Sequence, residues 1–329
     1  MKSTRCNMSY EGTYGNEIRP ANHDYLPLRW SEVFGNENPI IVEIGFGGGE
    51  YLENCARSHP EKNFVGFEVS VTSMKKAQNR VDGLNNVRLV ITDARFGMRE
   101  FFGPKTLEKV VMNFPIPWDK HSQERRRVIV PEFFSTLANV LCDGGTFELT
   151  TDVEWYAKQT IDTAISNGLF EVSGYAENPD REIKTRYEQK WMKYGRNIYA
   201  VTLKKAKHVE VDRLIGGIHE MPHAKCEIDE GKFNSLVGKV FKEDTKVVVV
   251  KNVYRSESDS SYIVKLIASD GDFQQHYYLT VQREMEGMKG MEGTESDVWL
   301  IKLDSASNPY RTPAVKWSVQ MIADVLRRQ

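Results

Sequence analysis

The chain has 329 residues, of which 40% are hydrophobic and 27% charged, and a formal net charge of −2. That length supports one large or two ordinary domains, each with its own core. The charge balance argues neither for nor against a nucleic-acid partner, since a local basic patch can suffice. No apolar run approaches ~18 residues, so no membrane span is expected. The opening MKSTRCNMSYEG lacks the apolar core of a secretory signal. Cys6, Cys55, Cys142 and Cys226 form no CxxC or Cys/His cluster, so neither a disulfide framework nor a metal site is expected, which points to a reducing cytoplasm.

In chain order, the run IIVEI (Ile40–Ile44) reads as a strand, followed by a glycine loop and a helix over Tyr51–Ser58. NFVGFEV (Asn63–Val69) is a second strand, and Ser70 is a suitable N-cap for a helix towards Val81. VRLVI (Val87–Ile91) and Lys109–Met112 continue the series of strands. Pro131 suits the first turn of a helix to Leu141, because its missing N–H costs little there. Gly144 and Gly145 turn the chain into Thr146–Thr150, followed by a helix over Val153–Asn167 and a strand at Ile198–Leu203. Strand–helix alternation with short loops predicts an α/β fold, a mostly parallel, doubly wound sheet covered on both faces.

The pattern changes after about Lys205. Lys246–Tyr254, Tyr262–Ala268, Gln274–Val281 and Val298–Leu303 read as strands without intervening helices, and Ala314–Arg328 as an amphipathic helix. A smaller α+β domain with an antiparallel sheet is expected over 206–329, after a first domain at 1–205. The glycine-rich EMEGMKGMEGTES within it reads as a mobile loop.

Chemistry is expected in the loops after the strands of the first domain, because ligands of open α/β sheets sit at the carboxyl ends of the strands. Glu43-Ile-Gly45-Phe-Gly47-Gly48-Gly49 ends the first strand and opens a helix, where glycines let the backbone approach a ligand. Glu68 closes the second strand, where an acid can bind two ribose hydroxyls, and Asp93 follows the third, where it could accept from an adenine amine. This points to an adenosine-containing cofactor. The G-x-G-x-x-G spacing of a dinucleotide pocket is not completed, since Glu50 stands at its last position. Glu43 also suits a cationic amino-acid group better than a phosphate, which favours methyl transfer from S-adenosylmethionine over an NAD-dependent dehydrogenase.

NFPIPWDKHSQERRRV (Asn113–Val128) leaves the sheet at two prolines and runs into Lys120 and Arg125–Arg127. A second basic group comprises Arg181, Lys184, Arg186, Lys190, Lys193 and Arg196. The arginines at 125–127 are expected to meet phosphates, and Trp118 either to stack on a base or to cover the sheet edge.

VEIGFGGGE, VGFEVS, NFP-x-PW-x-K, RRRVIVPEF, TTD and TRYE stand in the order found in bacterial tRNA (guanine-N7-)-methyltransferases, which the chain resembles from about Pro27 to Leu203. The resemblance implies a Rossmann-like class I methyltransferase acting on the guanosine at position 46 in the variable loop of tRNA. It implies that Glu43, Glu68 and Asp93, with Gly45 and Gly47 of the loop and Asn113 beside them, bind S-adenosylmethionine. It further implies that Lys120, Asp152, Thr185, Arg186, Tyr187 and Glu188 contact the substrate. One position departs from the pattern: the family usually has aspartate between the two prolines, where this chain has Ile116. No catalytic residue is therefore carried over. Asp119, Asp152 and Glu188 are the carboxylates left to face a cationic product ring, with Asp119 the nearest in the same loop. Two rival readings follow from Ile116, a catalytically weak tRNA-binding protein and an RNA methyltransferase of altered base specificity. The oligomeric state is left open.

Overall fold

The computed structural model describes residues 15–23, 25–215, 221–286 and 294–328, with backbone only at 285–286 and 294–296. Cys6, the N-terminal segment read above and residues 287–293 of the glycine-rich stretch lie outside the described residues. The chain divides into two compact units, the first ending at Arg213 and the second starting at Leu214. Residues 206–213, grouped from the sequence with the C-terminal extension, pack on the first unit. Ala206 N donates to Leu169 O at 2.9 Å, Asn139 Nδ2 to Val209 O at 3.0 Å and Arg213 Nη2 to Phe102 O at 2.8 Å.

The first unit runs α1 (Trp30–Phe34), β1 (Ile40–Ile44), α2 (Glu50–Ser58), β2 (Asn63–Glu68), α3 (Val71–Val81), β3 (Val87–Ile91), α4 (Ala94–Phe101) and β4 (Leu107–Asn113). It continues through α5 (Pro131–Val140), β5 (Leu141–Thr151), α6 (Glu154–Ser166), β6 (Phe170–Glu177), α7 (Arg186–Lys193) and β7 (Tyr199–Lys205). The seven strands form one sheet in the order β3-β2-β1-β4-β5-β7-β6. The first five are parallel, while β7 runs antiparallel between β5 and β6. This is the expected Rossmann-like sheet. Its central strands are apolar runs because helices cover both faces; all of β1 is buried.

In this unit α1, α4, β6 and α7 were not read from the sequence, and two of them, α4 and β6, show different reasons. In α4, Gly97 interrupts the helical pattern. A Cβ there would stand 2.5 Å from the Phe67 ring, so the glycine is required for close packing rather than for a turn. The other element, β6, is an edge strand whose side chains are mostly exposed, so burial imposes no alternation on it.

The second unit comprises β8 (His223–Glu227), α8 (Phe233–Leu236), β9 (Val240–Glu243), β10 (Lys246–Arg255), β11 (Tyr262–Asp270), β12 (Phe273–Glu286), β13 (Thr294–Leu303) and α9 (Pro313–Leu326). Its six strands lie in the order β8-β13-β12-β11-β10-β9, all antiparallel. Val250, Leu266, Leu279 and Ile301 bury one sheet face against Val319, Ile322 and Leu326 of α9. The strands β12 and β13 extend into the segment read as a loop, pairing as far as Glu286 and Thr294.

Close approach also selects Gly66 in β2, where a Cβ would fall 2.5 Å from the Phe46 ring and 2.6 Å from Leu52 Cδ1. Overpacking of this kind costs about 1–3 kcal/mol. Gly66→Ala is expected to lower the stability of the first unit by that amount, read as a shift of its denaturant midpoint. An unchanged midpoint would mean that Phe46, and with it the glycine loop, yields freely.

Candidate active site

In the parallel part of the sheet, connections leave β1 and β4 in opposite directions, so a crevice opens between their carboxyl ends. Glu43 lies on β1, Glu68 ends β2, Asp93 follows β3 and Asn113 ends β4. The loop above them is shaped by φ values of +73° at Gly45, +54° at Gly47 and +79° at Gly49, a region that other residues enter at a cost. A Cβ at Gly45 or Gly47 would meet nothing within 4 Å, so these two glycines face open space and not a packed neighbour. Phe46 is buried between them and anchors the loop to the core.

The carboxylate of Glu68 organises this loop, accepting from Gly47 N at 3.1 Å, Val69 N at 2.9 Å and Ser70 N at 3.2 Å. Asp93 caps α4, accepting from Arg95 N at 2.9 Å, and pairs with the Arg95 guanidinium at 2.8 Å.

The centre of the crevice is a line of buried polar groups. Asn113 Nδ2 donates to Glu43 Oε1 at 3.0 Å, and Arg181 Nη2 donates to Asn113 Oδ1 at 2.9 Å. Arg181 Nη1 completes the line at Glu188 Oε2, also at 2.9 Å. Two carboxylates share one guanidinium, and the direct pair goes to Glu188. Glu43 is 2% exposed, and its Oε2 has no hydrogen-bond partner. Burial therefore pushes its pKa from 4.5 up to about 8, against the smaller lowering effects of Asn113 and Arg181 and with further raising by Glu50 and Glu68.

Sequence reasoning grouped Arg181 with a basic surface run and missed its role. The partner is 68 residues away in sequence, and no local signal marks it.

The residues expected to touch substrate fall into two sets. Lys120 and Tyr187 are exposed, as is Asp119, and Arg186 reaches across to Glu50 of α2 at 3.0 Å. Thr185 and Glu188 instead are buried. Thr185 caps α7, its hydroxyl accepting from Glu188 N at 3.2 Å, while the Glu188 carboxylate turns inward to Arg181. Asp152 is held by Arg196 at 2.6 Å, and that guanidinium lies 4.2 Å from the Trp191 ring centroid. None of these side chains is hydrogen-bonded to Glu43, Glu68 or Asp93.

The basic loop after β4 also divides. Phe114 and Trp118 have φ of +50° and +47°, a conformation that costs a non-glycine residue of order 1–3 kcal/mol. Arg127 supports this bend. Its Nε donates to Pro117 O at 3.0 Å and its Nη2 to Trp118 O at 2.9 Å, and its guanidinium packs over Trp155. Arg127 is buried and is removed from the expected phosphate contacts, whereas Arg125 and Arg126 are exposed. The Arg126 guanidinium lies 5.0 Å over the Trp118 ring, so Trp118 is packed beneath a cation at the bend. At the tip of the bend, Ile116 is 62% exposed, without a packing role that would explain an apolar side chain there.

Among the described residues no group of three His, Cys, Asp or Glu side chains could hold a metal ion, and no helix is long and apolar enough to cross a membrane.

Residues 37–201 match a family model described as a putative methyltransferase. Over 318 residues the chain is 46% identical to the tRNA (guanine-N(7)-)-methyltransferase of Thermotoga maritima, covering 95% of this chain and 97% of that one. A protein of the same name from Coprothermobacter proteolyticus is 31% identical, over 93% and 92% of the two chains. The match to the Bordetella pertussis enzyme, at 34% identity, is confined to 55% of this chain and 72% of that one. The seven-stranded first unit is thus a methyltransferase fold, and the chain belongs to the tRNA (guanine-N(7)-)-methyltransferase family.

Proposed function

We propose that the chain transfers a methyl group from S-adenosylmethionine to nitrogen 7 of the guanosine at position 46 in the variable loop of tRNA, in the cytoplasm. One observation carries the cofactor assignment. Glu43 is a buried carboxyl with an unpartnered oxygen, under a glycine loop that faces open space. Such a group is costly unless a cation joins it. The amino-acid end of S-adenosylmethionine fits that requirement, whereas a pyrophosphate would add charge of the wrong sign. Glu68 and Asp93, with Gly45, Gly47 and Asn113, complete the proposed cofactor site. Family membership supports tRNA as the substrate.

When bound, S-adenosylmethionine supplies a methyl group on a cationic sulfur, open to in-line attack. Nitrogen 7 of guanine carries an unprotonated lone pair at neutral pH, so the chain need not provide a general base. Its contribution is positioning, which can be worth ~7–11 kcal/mol. Lys120, Arg186 and Tyr187 are the exposed groups proposed to hold the RNA, together with Asp152. Thr185 and Glu188 act on the substrate through the placement of α7. The product ring is cationic, and Asp119 is the carboxylate proposed to face it in place of the family aspartate, three residues beyond Ile116.

The direct test is nucleoside mass spectrometry of unmodified tRNA incubated with the protein and labelled cofactor. Label is expected in 7-methylguanosine of the variable loop. Retention of tRNA without label would support the rival binding-protein reading, and label in another nucleoside would replace the stated specificity.

Glu43 predicts a proton linkage. With its pKa raised from 4.5 to about 8, the ligand-free carboxyl is mostly protonated at neutral pH. A cationic ligand favours the carboxylate and lowers that pKa, so binding releases a proton and affinity rises with pH up to about 8. Calorimetry at pH 7 in buffers of different ionisation enthalpy is expected to read up to about one proton released, and Glu43→Gln is expected to abolish the release. Proton-neutral binding by the natural protein would disconnect Glu43 from the cofactor.

The arginines after β4 make a contrasting pair of variants. Arg125→Ala with Arg126→Ala is expected to flatten the salt dependence of tRNA binding by about one unit of slope per lost phosphate contact, with stability unchanged. Arg127→Ala is expected instead to lower stability, since two backbone carbonyls at a strained bend lose their donor. An unchanged slope in the first variant would return those two arginines to ordinary surface charge.

A further inference from the structure

The second unit has a sheet face that its own core does not use. In β10 to β13, alternate residues turn inward to α9, and the intervening ones face away. That outward face carries Tyr254 and Tyr278, which are 47% and 36% exposed, together with Lys265, Lys302, His276 and His223. The register sets them side by side. Lys265 stands directly opposite Tyr278, Tyr254 opposite Ile263, and Lys302 opposite His223. The two tyrosines are one strand apart, ~10 Å in the direction across the sheet.

The central strands of this face carry no acid although the whole chain is slightly acidic; Glu227 of the edge strand β8, opposite Val298, stands at its rim. No Asp or Glu occupies an outward position of β10, of β11, of β12 between Gln274 and Gln282, or of β13 between Val298 and Lys302. Nearby, Asp304 is occupied by Thr280 Oγ1 at 2.5 Å and Ala306 N at 2.8 Å. At the rim Lys225 is paired with Glu284, whereas Lys265 and Lys302 form no salt bridge among the described residues. An unpaired ammonium beside an exposed ring on a flat sheet suits one ligand chemistry well. Unpaired nucleotides stack their bases on such rings and place phosphates at such cations. The same register lines up Val240, Val249 and Ile267 on this face, so a protein partner is the alternative occupant that the test separates.

We propose that the outward face of this sheet, centred on Tyr254, Lys265, Tyr278 and Lys302, binds unpaired nucleotides of the tRNA substrate; the identity of the RNA rests on the function proposed above. The second unit then enlarges the RNA-binding surface without adding to the chemistry.

The test uses the full chain and unmodified tRNA, with affinity followed across a salt series. The double variant Tyr254→Ala/Tyr278→Ala is expected to weaken binding about tenfold at unchanged salt slope. Lys265→Ala/Lys302→Ala is expected to weaken it similarly and to reduce the slope by about two. For both, kcat at saturating tRNA and the affinity for S-adenosylmethionine are expected to stay within about twofold of the natural protein. Tyr→Phe and Lys→Arg replacements at the same positions keep ring and charge and are expected to restore binding. Natural methylation with wild-type affinity in both alanine variants would overturn this inference alone, leaving the face to a protein partner or to solvent. Loss of affinity in the conservative variants as well would show a packing role and overturn it too. A natural protein that neither binds nor methylates tRNA would overturn the proposed function and this inference together.

Discussion

A buried carboxyl that no cation of the protein pairs directly is the constraint around which the first unit is organised. Glu43 sits in the second half of β1 with neighbours on both sides, β2 and β4, so it cannot turn towards water. Among the described residues the guanidinium acting on Glu43, that of Arg181, is committed to Glu188, and its hydrogen-bonded link to Glu43 runs through the Asn113 amide. Had Arg181 paired with Glu43 directly, the crevice would be electrically closed. As built, it leaves an unpartnered carboxyl oxygen at the point where an open α/β sheet takes its ligand.

The same line of groups joins two parts of the unit with different tasks. Asn113 ends a core strand, while Arg181 and Glu188 belong to the segment between β6 and β7 that carries α7. The first turn of α7 is tied a second time, through Arg186 to Glu50 of α2. Glu50 in turn is shared with Arg80 of α3. The exposed residues of α7 thus stand beside an ion pair rooted in α2 and α3.

Strain at the bend after β4 is confined by a similar device. Two non-glycine residues in the left-handed region would relax if their carbonyls were free, and Arg127 holds two of the carbonyls between and beside them. Its neighbours Arg125 and Arg126 lie on a short helical turn that points them outward. One arginine is structure and two are surface, although the three are chemically identical.

The strands β1 to β5, the capping residue Ser70, and the acids at the strand ends were readable in the sequence. Each rests on a few adjacent residues whose apolar run or hydrogen-bonding side chain acts locally. Four strands of the C-terminal antiparallel sheet, β10 to β13, and α9 were readable for the same reason, as was the family to which the motifs belong. Tertiary structure alone decided that Gly97 sits inside a helix, because the Phe67 ring requires it. It alone turned Arg127 inward, aimed Arg181 at Asn113, and sent the Glu188 carboxylate into the interior rather than to the surface. It also decided which side of the second sheet α9 covers, and so which tyrosines and lysines stay exposed. Each of these outcomes turns on which distant side chain excludes water from a given polar group, and desolvation is a property of the packed chain with no counterpart in the local sequence.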